Sequence, residues 1–235
     1  MKKNKIFLTV FLTVFIIVEL GLGVAIQLTD GTEYKVLSVT SVAVALLGAL
    51  LFFKNKSTYV VMLIALFCTL CADVLLSELF AYDGQKTGAM CFFSVTQICY
   101  FIRLYLNQKS KTAKTVHLIA RISLTVIAVI ATIIVLNKNT DALALISLFY
   151  FANLIMNIVI AFTQFKSAPL FAIGLLLFSC CDLIVGLLEL ENFLPIPEDS
   201  FIYKLNEGPI ILAWFFYVPS QTCIVCDIAL QSQKN

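Results

Sequence analysis

Three acidic residues lie inside long apolar stretches of the chain, and they are Glu19, Asp73 and Asp182. An ionisable group within the hydrocarbon of a membrane is costly, so such a residue is a functional candidate by default. A buried carboxyl group can hold a proton and pass it on, either to a reacting molecule or along a transport path. Asn or Ser would serve as well as Asp for hydrogen bonds between helices. We therefore assign a functional role to Asp73 and Asp182, whereas both interpretations stay open for Glu19.

The three acids occupy a similar depth in the membrane. Their helices run from the inner to the outer side, and each acid precedes the outer end of its helix by about seven to eight residues, which is roughly 11–12 Å. Uncharged polar residues approach this layer from other helices, and these are Gln97, Tyr217, Gln221 and Asn153. Tyr100 follows Gln97 by three residues and lies on the same helix face. Together they predict a polar cavity that opens to the outer side, although hydrogen bonding between helices remains the alternative for each uncharged residue.

Membrane helices must position these residues, because the composition excludes a water-soluble protein. Of the 235 residues, 61% are hydrophobic and 13% are charged, against about 45–50% and about 25% in soluble domains. Each crossing takes roughly 20 apolar residues, so the chain has room for about eight crossings and no extramembrane domain. The apolar runs predict one polytopic membrane domain over residues 1–235. Its eight helices are predicted at residues 5–27, 35–53, 58–80, 88–107, 115–136, 142–165, 168–190 and 209–231.

The apolar runs are continuous rather than alternating, which predicts an all-α bundle and excludes a transmembrane barrel. The first run follows Lys2 and Lys3, as in a signal peptide, but it lacks a clear cleavage site, so we expect a retained helix and an integral, multi-pass membrane protein. Most Lys and Arg residues fall in loops on the N-terminal side, which predicts that both termini are cytoplasmic. Arg121 lies within the fifth span, and we expect its side chain to reach the inner interface.

The eight cysteines fall inside the apolar runs, where Cys packs as a small, polarizable side chain. Cys68 with Cys71 and Cys223 with Cys226 have the spacing of a four-thiolate metal site, but buried thiolates are costly and no His accompanies them. We therefore expect no metal. The sequence contains no Gly-rich phosphate loop, so no cofactor is expected either. A net charge of +2 gives no reason to expect a nucleic-acid partner.

The two halves of the chain share short sequence similarities. The third span contains Leu-Phe-Cys-Thr-Leu-Cys-Ala-Asp, which ends at Asp73, and the seventh contains Leu-Phe-Ser-Cys-Cys-Asp, which ends at Asp182. The fourth and eighth spans each have an aromatic residue four positions before a glutamine, at Gln97 and at Gln221. Four spans preserve the direction of the chain, so these similarities predict a 4+4 parallel pseudo-repeat.

Four segments together resemble the YhhN-like integral membrane family, and the resemblance extends over most of the chain. The family has Gly-Asp in its third helix, where this chain has Ala72 followed by Asp73. In the next helix the family has a Gly, then a Phe, then His-x-x-Tyr. This chain keeps that spacing with Gln in place of His. The corresponding residues are Gly88, Phe93, Gln97 and Tyr100.

The other two segments lie in the seventh and eighth helices. The family pattern Gly-x-x-x-Phe-x-x-Ser-Asp corresponds here to Gly174, Phe178 and Asp182, with Cys in place of Ser. The family's Tyr-x-x-x-Gln near the C-terminus corresponds to Tyr217 and Gln221. No single motif is specific, but the ordered set, with each member in its expected helix, identifies the resemblance.

Characterised members of the YhhN-like family are lysoplasmalogenases. The resemblance therefore implies hydrolysis of the vinyl-ether bond of lysoplasmalogens to a fatty aldehyde and a glycerophospho-base. Such a bond hydrolyses when an acid protonates the alkene carbon and water attacks the resulting oxocarbenium ion. Two close carboxyl groups in a low-dielectric site tend to share one proton, which suits this chemistry, and the obvious catalytic pair is Asp73 with Asp182. The residues expected to bind water and the polar end of the lipid are Gln97, Tyr100, Tyr217, Gln221, Asn153 and Glu19.

Two other functions stay open at this point. A proton-coupled small-molecule transporter also has midplane carboxylates and internal repeats, although helix-breaking Gly and Pro are scarce inside these spans. A non-catalytic lipid-binding relative is favoured by the replacement of the family His by Gln97. The expected partners are the bilayer and a lysophospholipid or other lipid.

Overall fold

The fold is given by a computed structural model that describes residues 2–54, 56–77, 79, 82–137, 140–189, 200 and 210–234. In this part of the chain the structure has eight α-helices and no β-strand. The helices are α1 (Lys2–Leu28), α2 (Gly31–Leu50), α3 (Ser57–Leu76), α4 (Gln85–Asn107), α5 (Lys111–Leu136), α6 (Ala142–Thr163), α7 (Pro169–Glu189) and α8 (Leu212–Lys234). All eight are long and apolar enough to cross a membrane. The predicted all-α, multi-pass architecture is therefore confirmed for the described residues, while the pseudo-repeat and the cytoplasmic termini stay predictions.

Predicted and observed helices correspond one to one, and their ends differ by a few residues. α3 ends at Leu76, earlier than predicted, whereas α5 begins at Lys111, before its apolar run. The start of α5 is set by Ser110, whose Oγ accepts a hydrogen bond of 3.2 Å from the backbone nitrogen of Ala113. Hydropathy does not detect such a capped polar turn. The predicted ends at residues 80, 190 and 209 lie outside the described residues.

The helices pack as a bundle whose interior is formed mainly by α4 and α8, and α1 and α5 are the least buried. The most extensive contacts are those of α3 with α4 and of α7 with α8. α6 joins these two pairs because it contacts both α4 and α7, and α2 does so on the other side because it contacts both α3 and α8. Side chains from α3, α4, α6, α7 and α8 therefore meet in the middle of the bundle.

The close approach of α7 to α8 depends on Gly174. A Cβ atom at this position would lie 2.9 Å from Cγ1 of Ile224 and 3.1 Å from the backbone oxygen of Ser220. Ser220 Oγ also donates a hydrogen bond of 2.8 Å to the backbone oxygen of Gly174. A larger residue would push the two helices apart. Gly174 thereby sets the separation of α7 from α8 for the turns that carry Phe178 and Asp182.

A buried ion pair joins α4 to α8 near the end of the bundle that holds both chain termini. Arg103 donates a hydrogen bond to Asp227, and both side chains are buried. The guanidinium carbon of Arg103 also lies 3.6 Å from the ring centroid of Phe171 on α7. Removing one partner would leave an uncompensated charge in the interior, which typically costs about 3–5 kcal/mol. The pair therefore ties three interior helices together.

The predicted orientation can be tested by cysteine labelling from the two sides of the membrane. Asp83, in the turn before α4, and Lys109, between α4 and α5, are both exposed. We expect an impermeant maleimide added to intact cells to label Asp83→Cys, and to label Lys109→Cys only after the membrane is permeabilised. The unchanged protein, with its native cysteines, sets the background. Labelling of both positions from the same side would contradict the topology, because α4 would then not cross the membrane.

Candidate active site

Asp73 and Asp182 lie in one cluster, and each accepts a hydrogen bond from a tyrosine. Tyr217 on α8 donates to Oδ2 of Asp73 on α3, and Tyr150 on α6 donates to Oδ2 of Asp182 on α7. The two tyrosines belong to one cluster of buried side chains, which also contains Ala72 and Cys181, the residues before the two aspartates. In the described part of the chain, neither Oδ1 atom has a hydrogen-bond partner. Four helices thus supply four side chains, and one oxygen of each carboxyl group remains available to another molecule.

Aromatic rings connect the two tyrosines and fix their positions. The ring centroid of Phe178 lies 5.4 Å from that of Tyr217 and 6.1 Å from that of Phe93. Phe93 in turn lies 5.7 Å from Tyr150. Trp214 packs edge-on against Tyr217 at 5.0 Å. A continuous set of ring contacts therefore runs from one tyrosine to the other, which holds both hydroxyl groups in a largely apolar surrounding.

Burial differs between the two acids. Asp73, Tyr217 and Tyr150 are all buried, whereas Asp182 is partly exposed. Asp73 lies three residues before the end of α3 and Asp182 seven residues before the end of α7, so both belong to the predicted outer halves of their helices. Asp73 is the more fully enclosed of the two side chains.

Gln97 and Tyr100 are fully buried on the same face of α4 as Phe93. Asn157 on α6 donates hydrogen bonds of 2.9 Å from Nδ2 to the backbone oxygen and to Oε1 of Gln97. Nε2 of Gln97 has no hydrogen-bond partner among the described residues. Phe93, on the same face, packs against Tyr150 and Phe178. The α4 face that carries Gln97 therefore borders the aspartate cluster.

Gln221 and Glu19 are also fully buried, but their settings differ. Gln221 lies one helical turn from Tyr217, and within the described chain neither atom of its amide has a partner. Glu19 accepts a hydrogen bond of 2.6 Å from Oγ of Ser41, where α1 packs on α2. That hydrogen bond leads to α2, while the place of Gln221 is set by its spacing from Tyr217 on α8. A role of Glu19 in the site stays a prediction.

The expectation that Arg121 reaches the inner interface is wrong. Its guanidinium is buried between α5 and α6, with Nη1 at 2.5 Å from Oδ1 of Asn153 and Nη2 at 2.6 Å from Oδ1 of Asn157. Two asparagines one turn apart replace water around the cation, so the side chain has no need to reach the interface. Nδ2 of Asn153 donates to the backbone oxygen of Phe149 at 2.7 Å. Both polar groups of the Asn153 amide are therefore used within the protein.

Sequence reasoning left Tyr150 and Asn157 out of the candidate site. Tyr150, Asn153 and Asn157 are spaced i, i+3 and i+7, which places them on one face of α6. That spacing was the available signal, because a polar stripe on an otherwise apolar membrane helix faces protein rather than lipid. The structure shows this face of α6 contacting α4, α5 and α7 through these three residues.

The chemistry that this arrangement supports is proton transfer. Among the described residues, no group of three or more His, Cys, Asp and Glu side chains is placed to hold a metal ion. The cluster offers two carboxyl groups, two phenols and amide groups around them. These groups can hold a proton, deliver it and accept it back, and they can bind the oxygen atoms of a small polar group.

The comparison with protein families gives one match. The model of the YhhN family matches residues 34–228, a range that contains both aspartates and both tyrosines of the cluster. α1 and Glu19 lie outside the matched range. No curated protein and no solved structure matches the chain.

The hydrogen bond from Tyr217 to Asp73 can be tested by removing the hydroxyl group. Tyr217→Phe leaves a buried carboxyl group without its donor, so we expect a loss of stability of about 1–3 kcal/mol. The measurement is thermal unfolding of the purified protein in detergent. Tyr105→Phe is the matched control, because Tyr105 is exposed, and should change stability by no more than about 0.5 kcal/mol. Equal stability of the two variants would contradict the buried hydrogen bond.

Proposed function

Because the chain belongs to the YhhN family, we propose that it is a lysoplasmalogenase-like hydrolase that acts within the membrane. It cleaves the vinyl-ether bond of a lysoplasmalogen and releases a fatty aldehyde and a glycerophospho-base. The observation that carries the proposal is the proximity of the two tyrosine-bound aspartates, each with one oxygen that accepts no hydrogen bond from the described residues. A carboxyl pair of this kind is what acid-catalysed hydrolysis of a vinyl ether needs.

The first chemical step is protonation of carbon. Asp73 donates its proton to the alkene carbon farther from the ether oxygen, and the double bond shifts to give an oxocarbenium ion. We assign this role to Asp73 because its side chain is the more fully enclosed by protein of the two. Tyr217 holds Oδ2 of Asp73, so Oδ1 is the atom that carries the transferred proton.

The second step is attack by water. Asp182, as carboxylate, accepts a proton from a water molecule while the water oxygen bonds to the oxocarbenium carbon, which gives a hemiacetal. The hemiacetal hydroxyl then gives its proton to Asp73 while Asp182 delivers its proton to the glycerol oxygen, and the bond to that oxygen breaks as the carbonyl of the aldehyde forms. One water is consumed, and both carboxyl groups return to their starting protonation states. Asp182 suits the second role because its side chain is the less enclosed by protein of the two.

The membrane setting fits the substrate. The alkenyl chain of the lipid is apolar and would lie along the apolar helix faces, so its reacting end reaches the cluster without leaving the bilayer. The polar groups around the aspartates, Gln97, Tyr100 and Gln221, are buried and would bind the oxygen atoms of the glycerol part. A site of this kind excludes most water, which strengthens electrostatic stabilisation of the cationic intermediate by the carboxylate.

The roles of the two acids can be tested with amide replacements, which keep shape and remove the titrating carboxyl group. Purified protein is incubated with lysoplasmenylcholine or lysoplasmenylethanolamine, and released aldehyde is measured. We expect Asp73→Asn and Asp182→Asn each to lower the rate by roughly 10²–10⁴. The double variant should be little worse than either single one, because residues that act as one unit are not additive.

Two controls accompany these variants. Asp83→Asn changes an exposed aspartate and should leave the rate unchanged. Glu19→Gln should do less than either cluster variant because Glu19 lies outside the range that matches the family. The rate of the unchanged enzyme should pass through a maximum as pH changes and fall on both sides of it, since one carboxyl group must be protonated and the other ionised. Near-normal turnover in either cluster variant would exclude the mechanism and favour a carrier or a structural role for the aspartates.

Gln97→His tests whether the family His and this Gln serve the same purpose. Asn157 donates to the Gln97 side chain, and a neutral His can also accept on one side and donate from its other nitrogen. We therefore expect Gln97→His to keep or raise the rate of aldehyde release. An inactive native protein that becomes active as Gln97→His would instead identify a non-catalytic relative. Loss of activity in Gln97→His would show that the two side chains are not equivalent.

A further inference from the structure

A chain of hydrogen bonds runs through the bundle from Arg121 to Gln97. Arg121 donates from Nη2 to Oδ1 of Asn157 at 2.6 Å, and Asn157 donates from Nδ2 to Oε1 of Gln97 at 2.9 Å. All three side chains are buried. The chain links α5, which lies at the periphery, to the α4 face that borders the aspartate cluster.

The direction of this chain is forced by the chemistry of arginine. A guanidinium can only donate hydrogen bonds, so Asn157 must turn its oxygen to Arg121 and its nitrogen to Gln97. Gln97 must then turn its oxygen to Asn157, and its Nε2 faces the opposite way. An amide without such a neighbour could take either orientation. The orientation of Gln97 therefore follows from the presence of a cation two side chains away.

Arg121 has no acidic partner to explain its place in the interior. Among the described residues no carboxylate lies within ion-pair distance of it, in contrast to Arg103, which is paired with Asp227. Its other contacts are Asn153 and the ring of Phe101, whose centroid lies 4.2 Å from the guanidinium carbon. A buried cation held only by neutral groups costs stability, and an apolar residue would pack α5 against α6 at lower cost.

We propose that Arg121 and Asn157 are positioning residues that orient the amide of Gln97 so that Nε2 donates to an oxygen of the substrate's glycerol part. This inference rests on the proposed function for the identity of the substrate. Nε2 of Gln97 is buried without a partner in the described chain, and Phe93 on the same helix face packs against Tyr150, the donor to Asp182. A substrate oxygen beside the aspartates would complete the hydrogen bonding of this amide.

The sharpest variant is Asn157→Asp. It keeps the size of the side chain and gives Arg121 a counter-charge, which offsets the lost hydrogen bond to the backbone oxygen of Gln97. We expect the protein to stay folded, and thermal unfolding checks this. An aspartate can only accept hydrogen bonds, so Gln97 must turn its Nε2 toward it and its oxygen toward the substrate. We expect kcat/KM for lysoplasmenylethanolamine to fall by about tenfold, the effect of one lost hydrogen bond.

Variants at Arg121 provide the second part of the test. Arg121→Lys keeps a group that only donates, whereas Arg121→Gln does not, so Arg121→Lys should retain more activity than Arg121→Gln. The double variant Arg121→Gln with Gln97→Met should be no worse than Gln97→Met alone, because the arginine acts through the glutamine. Thr132→Val is the control, because Thr132 is a buried polar residue on the same helix. Its hydroxyl group donates a hydrogen bond to the backbone oxygen of Ala128, within that helix. The proposal is wrong if the activity losses of the two single variants multiply in the double variant. It is also wrong if Arg121→Lys and Arg121→Gln lose equal activity.

A measurement that does not depend on catalytic turnover separates this inference from the proposed function. In protein labelled with ¹⁵N-glutamine, the side-chain amide signals of Gln97 are assigned by their absence in Gln97→Met. We expect these signals to stay in place in Arg121→Lys and to shift in Arg121→Gln and Asn157→Asp. If the amide signals shift as expected but the protein releases no aldehyde, the oriented amide is supported and the proposed function is rejected. Unchanged signals in Asn157→Asp would overturn the oriented amide, whatever the activity.

Discussion

Keeping two carboxyl groups inside a membrane bundle is the constraint on which the rest of this structure depends. Each group is held by one tyrosine hydroxyl, Tyr217 for Asp73 and Tyr150 for Asp182, and a neutral donor lowers the cost of burial without cancelling the charge as an arginine would. The aromatic contacts through Phe178 place those hydroxyls. The carboxyl groups are therefore stabilised yet still able to exchange protons, which an ion pair would hinder.

The two buried arginines show the alternative treatments of charge in the same bundle. Arg103 is neutralised by Asp227 and stacks on Phe171, which is an arrangement that serves packing. Arg121 is surrounded by amide oxygens instead. No carboxylate of the described residues compensates its charge, and its hydrogen bonds impose a direction on the amides beyond it. That difference is why we connect Arg121, and not Arg103, with the orientation of groups at the aspartate cluster.

The helices and the two aspartates were predictable from the sequence because hydropathy and a buried ionisable residue are local signals. The partners of the aspartates were not, since a hydrogen bond between α6 and α7 depends on how helices rotate against each other. Tyr150 was missed for this reason. Arg121 was wrongly placed at the interface because snorkelling is the usual outcome for a lone cation in a span, and only the packing of α5 on α6 brings two asparagines to it.

The most direct test of the central claim is hydrolysis of lysoplasmenylethanolamine by the purified protein in D₂O, with mass spectrometry of the released aldehyde. If a carboxyl group protonates the alkene carbon, the exchanged carboxyl delivers deuterium, and the aldehyde carries one deuterium on the carbon next to its carbonyl. The account predicts this product from the unchanged protein and none from Asp73→Asn. Aldehyde without deuterium at that carbon would contradict protonation by the aspartates, and absence of aldehyde would contradict the proposed hydrolysis itself.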